Sequence, residues 1–93
     1  MDVGRAEEIG VAALIFLAAD LQRLGRFLAL TGLGPAELKA EARTPRMLAA
    51  VLDHLLRDES LLLVFAATNQ LAPEDIAPAR RLLALQAGEK HDP

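Results

Sequence analysis

Apolar residues recur at helical spacing along almost the whole chain. From about Leu21 to Thr31, Leu21, Leu24, Phe27 and Leu28 share one side and Gln22, Arg23 and Arg26 the other. A second stripe, Met47, Leu48, Val51, Leu52, Leu55 and Leu56, leaves Asp53, His54 and Arg57 off its face. Two further segments have no polar face. One is the helix predicted from about Ala6 to Ala19, with Ile9, Val11, Leu14, Ile15, Phe16 and Leu17. The other is Leu61–Ala67, inside a helix predicted from Glu59 to Asn69, and it reads as the central helix of the fold.

The punctuation between these segments is equally regular. Asp20 and Asp58 stand where a side-chain oxygen caps the helix that follows. Gly32 supplies the left-handed residue that ends a helix. Pro35 and Pro45 occupy first helical positions, where the missing N–H costs nothing, so a short third helix runs from Pro35 to near Arg43 and a fourth follows Thr44. Pro73 and Pro78 cannot both open one helix. They predict a helical turn at Pro73–Ile76 and a last helix from about Ala77 to Gln86, with a polar, frayed tail from Gly88.

Displaced by 38 positions, the chain matches itself. Asp20 meets Asp58, Leu24 meets Leu62, Phe27 meets Phe65, Ala29 meets Ala67, Leu33 meets Leu71 and Pro35 meets Pro73. Leu14 and Leu17 meet Leu52 and Leu55 in the preceding helices. The expected fold is therefore all-α: a compact orthogonal bundle of five to six short helices in two pseudo-repeated halves. Stacking the halves is expected to bury the first and fifth helices against each other.

Length and composition fit this picture. Ninety-three residues suit one domain, ordered over about 6–87, and 53% hydrophobic content supports a core that is aliphatic because aromatics are only 3%. The net charge of −3 disfavours unspecific polyanion binding, which draws on Lys and Arg. The absence of cysteine excludes disulfides, thiol catalysis and zinc–thiolate sites, and fits a cytoplasmic protein. The apolar run Val11–Ala19 is far short of the roughly 20 residues a membrane span needs, so no membrane association is expected.

Candidate chemistry is sparse. "LTGLGPAEL" (Leu30–Leu38) resembles a helix-hairpin-helix turn, with Gly32, Gly34 and Pro35 presenting backbone N–H groups to a phosphate. Glu37 opposes that reading, and the matching "TNQLAPEDI" lacks the glycines; a capped helix connection explains both. Read as a helix-turn-helix, the same stretch offers only Lys39 and Arg43 for base contacts. Arg23, Arg26, Arg43 and Arg46 form one basic patch if the starts of helices two and four meet; a solvated face with local pairs such as Asp20–Arg23 is the plainer reading. His54 with Asp53 and Asp58 is the only cluster suggestive of metal or acid–base chemistry, and a surface histidine near a helix C-terminus explains it as well. Ser60, the only serine, lacks a convincing oxyanion hole. No catalytic residue, cofactor or metal is expected.

The segments "FLAADLQRLGRFLALTGLGPAELKA" and "MLAAVLDHLLRDESLLLVFAA", above all "RFLALTGL" and "DESLLL", resemble the bacterial domain-of-unknown-function family 3572 over about Glu7 to Leu83. The resemblance implies a small stand-alone helical protein, found mainly in alphaproteobacteria, with no assigned activity. It also implies Phe where this chain has His54. The function expected is a non-enzymatic interaction or adaptor module with a protein partner, working through helices two and four, and forming a homodimer as a further expectation. The alternative is a nucleic-acid accessory protein using the hairpin or the arginines.

Overall fold

The structure, a computed structural model, describes residues 1–88, so the frayed tail predicted beyond Gly88 lies outside the described residues. Six α-helices follow one another: α1 (Val3–Ala18), α2 (Leu21–Thr31), α3 (Pro35–Glu41), α4 (Pro45–Leu56), α5 (Glu59–Thr68) and, after a 3₁₀ turn at Pro73–Asp75, α6 (Ile76–Gln86). The chain is thus an all-α bundle, as its periodicity predicts. Most boundaries follow the caps. Asp20 accepts from the backbone N–H groups of Gln22 and Arg23, Asp58 from that of Leu61, and Thr44 from that of Met47. α1 starts three residues earlier than predicted, because Asp2 accepts from the Arg5 N–H at 2.7 Å. Pro78 sits in the first turn of α6, where no intrahelical donor is lost.

The centre of the bundle is α4, not α5. α4 packs most extensively on α6, and both pack on α1. Its buried residues, Met47, Leu48, Ala49, Val51, Leu52, His54 and Leu55, cover more than one face. α5 buries only Leu62, Phe65 and Ala66, and leaves Leu63 and Val64 exposed. Contrary to expectation, α1 and α5 do not pack extensively; they meet at Phe16 on Phe65, with ring centroids 5.4 Å apart. A uniformly apolar helix carries no signal for which side faces the core, so its apolarity is compatible with a peripheral position.

The 38-residue correspondence is present in the structure. Phe27 and Phe65 are both fully buried. Gly32 and Gln70 both take a positive φ, 75° and 55°. Thr31 donates its hydroxyl to the Phe27 carbonyl, and Asn69 donates its side-chain amide to the Phe65 carbonyl. The Phe16–Phe65 contact has a mirror: 38 positions on from Phe16 is His54, 38 back from Phe65 is Phe27, and His54 meets Phe27 edge-on at 5.2 Å. Gly10 and its counterpart Leu48 meet where α1 and α4 pack. A Cβ on Gly10 would lie 2.9 Å from the Leu48 Cβ, so one half supplies a glycine to admit the other half's leucine.

Candidate functional site

The hairpin forms, but its donors are occupied. Gly32 ends α2 in the left-handed conformation, its N–H donating to the Leu28 carbonyl. The Gly34 N–H, which would face a phosphate, donates instead to Glu37 Oε1 at 3.1 Å. The Leu33 N–H points to Thr31 Oγ1 at 3.4 Å. The turn thus carries its own carboxylate at the α3 N-terminus, half of a capping box whose other half glycine cannot supply. An incoming phosphate would have to displace Glu37.

The four arginines do not converge on one patch. Arg23 lies 4.5 Å above the Phe16 ring and approaches Asp20 at 3.9 Å. Arg43 borders a shallow cleft along α1 with Glu7, Glu8 and Ile15. Arg26 and Arg46 line adjoining clefts instead. Arg26 lines a cleft of about 400 Å³ between α2 and α4, together with Leu30, Thr31, Ala50 and His54. Arg46 lines a second cleft of about 220 Å³ that shares Thr31 and Ala50 with the first, so the two adjoin. Neither arginine has an ion-pair partner among the described residues.

His54 is not the surface histidine its place near the end of α4 suggested. It is 8% exposed, and its Nε2 is buried without a hydrogen-bond partner among the described residues. Burial first, and the Arg26 guanidinium second, push its pKa below the ordinary 6.5; Asp58 and then Asp53 oppose them. The imidazole is therefore neutral near pH 7. Its acidic neighbours are engaged elsewhere, Asp53 with the Arg57 Nε at 3.0 Å and Asp58 with the start of α5. Ser60 is exposed on the first turn of α5, and no hydrogen bond links it to His54. Among the described residues no group of three or more His, Asp or Glu side chains is arranged to hold a metal, and no helix is long and apolar enough to cross a membrane.

A family model described as "Protein of unknown function (DUF3572)" matches residues 4–86. The chain belongs to the DUF3572 family. No curated protein and no solved structure matches it. Membership in DUF3572 brings no assigned residues, so the cleft is defined by geometry alone. Its key residue, His54, is not flagged by periodicity, because it sits at the edge of the α4 stripe. The available signal was the internal repeat, which sets His54 opposite Phe16, a ring-bearing core position.

Proposed function

We propose that this DUF3572 protein is a non-enzymatic, cytoplasmic interaction module that receives a partner protein in the groove between α2 and α4. The observation that carries the reading is the groove itself: two adjoining clefts, walled at Ala50 and Thr31, with Arg26 and Arg46 at the rim lacking partners among the described residues. Leu30, 66% exposed, adds an apolar contact beside Arg26. A cysteine-free chain suits a reducing compartment.

The test is partner capture followed by reconstituted binding with the captured protein. The Arg26→Glu/Arg46→Glu variant is expected to bind at least about tenfold more weakly, the loss of roughly 1.4 kcal/mol. Undiminished affinity would overturn the groove as the working surface. Turnover in a hydrolase screen that is lost in His54→Ala would overturn the non-enzymatic reading.

One observation favours self-association as a second reading. Leu63 and Val64 are 47% and 45% exposed on α5, and Ile15, the neighbour of Phe16, is 63% exposed. In this reading a second copy covers these residues, and Leu63→Asp converts a dimer seen by sedimentation into a monomer. A wild-type monomer at high concentration removes it.

A further inference from the structure

Among the described residues six polar side chains line the cleft between α2 and α4: Arg26, Thr31, Asp53, His54, Arg57 and Asp58. Four of them are already engaged. Thr31 donates to the Phe27 carbonyl at 2.7 Å, Arg57 and Asp53 hold each other, and Asp58 caps α5. That leaves Arg26, with no ion pair among the described residues, and His54, buried yet lining the cleft with an unpartnered nitrogen. One cation therefore faces the cleft unmatched. Leu30 lies one helical turn beyond Arg26 on the same face of α2, which places an exposed apolar side chain beside the free charge.

We infer that this cleft is a carboxylate-reading subsite: Arg26 takes the Asp or Glu side chain of a partner peptide, and Leu30 with Ala50 takes an adjacent apolar side chain. The inference rests on the groove reading above and names its chemistry. A single negative charge matches the single free cation. A doubly charged phosphate is disfavoured, because the cleft offers its second charge no second free cation among the described residues. Its second charge would also face the carboxylates of Asp53 and Asp58. A guanidinium further suits the planar carboxylate geometrically.

His54 is a built-in reporter of occupancy. The charged groups lining the cleft around it are Arg26 from α2, Asp53 and Arg57 from α4 and its C-terminus, and Asp58 from the α5 cap. Burial is the larger cause holding the imidazole proton off and the Arg26 guanidinium the second; a carboxylate on Arg26 offsets the second, so binding raises the pKa of His54 and is tighter at lower pH.

The experiment titrates the full chain with acetylated, amidated Leu-Glu-Leu, Leu-Gln-Leu and Leu-phosphoserine-Leu, read by NMR at Leu30, Ala50 and the His54 imidazole. The glutamate peptide is expected to shift these resonances, to raise the His54 pKa, and to bind at least about tenfold more tightly than the glutamine peptide. Arg26→Gln, at an exposed position, is expected to abolish that difference. Equal binding of the two peptides, no shift at millimolar peptide, or a preference surviving in Arg26→Gln overturns the inference, and preference for phosphoserine overturns the carboxylate assignment. Ala50→Leu separates the two readings. A captured partner lost by Ala50→Leu but kept by Arg26→Gln leaves the groove standing and sinks the carboxylate; a partner kept by both sinks both.

Discussion

The cleft beside His54 and Phe27 and the region beside Phe16 and Phe65 are built from corresponding residues, yet their chemistry differs. Arg26 corresponds to Val64, Asp53 to Ile15, and His54 to Phe16. The first member of each pair makes a charged cleft between α2 and α4. The second members are apolar: Ile15 and Val64 are both substantially exposed, each next in sequence to one ring of the Phe16–Phe65 contact. Core and helix-end positions of the two halves stay alike: Phe27 and Phe65, Leu17 and Leu55, the Asp caps, and the left-handed backbone at Gly32 and Gln70. The internal correspondence is thus closest at several core and cap positions, and weaker at outward ones. The divergence also reaches inward, where His54 puts a polar ring into an aromatic contact and where Gly10 answers Leu48 across the α1–α4 contact.

The largest expected effects test the shared part. Phe27→Ala and Phe65→Ala should each lose about 3–5 kcal/mol of unfolding free energy in denaturant titrations. A loss below about 1 kcal/mol at either site would break the equivalence of the two halves. Next comes the asymmetric contact at Gly10. Gly10→Ala forces a methyl against Leu48 and should lose about 1–2 kcal/mol despite the better helix propensity of alanine. Gly25→Ala, in open space on α2, should gain up to about 1 kcal/mol.

His54→Phe restores the aromatic pair and removes a buried nitrogen without a partner. It should stabilise the protein by about 1–2 kcal/mol. It should also flatten the pH dependence. The folded-state pKa of His54 lies below the ordinary 6.5, so protonation favours the unfolded chain. Wild-type stability is complete above about pH 6.5, declines as the pH falls through the window beneath that value, and levels off once the folded protein binds the proton too. The variant should lack this decline, and the same decline in both proteins would show that another group causes it. A similarly small effect is expected at the left-handed positions after α2 and α5. Gln70→Gly should gain up to about 1 kcal/mol by relieving a left-handed glutamine, and Gly32→Gln should lose a similar amount.

Much of this architecture is legible in the sequence, because its signals are local. Asp20, Asp58, Thr44-Pro45 and Gly32 each act within one helical turn, so their residue types alone place the helix ends. The side of a helix that faces the core is legible only when the helix is amphipathic. α4 shows its stripe, whereas α5 is apolar all round and its peripheral position depends on how α4 and α6 pack. The burial of His54 depends on α2 laying Phe27 across it, a contact between residues far apart in the chain. The arginines fail to converge for a similar reason. Arg23 folds back on Phe16, and Arg43 follows α1 rather than α2. The hairpin's fate hinged on Glu37, whose carboxylate reaches the Gly34 N–H as its spacing allows.

The proposal that the charged side of the molecule does the binding is tested most directly by matched substitution at corresponding positions. Arg26→Glu and Val64→Glu place the same side chain on equivalent faces of α2 and α5. Both are compared with wild type for affinity toward the captured partner. The expected result is a loss of at least about tenfold in Arg26→Glu and near wild-type affinity in Val64→Glu. The reverse pattern, binding lost with Val64→Glu and kept with Arg26→Glu, would contradict it and move the working surface to the apolar side.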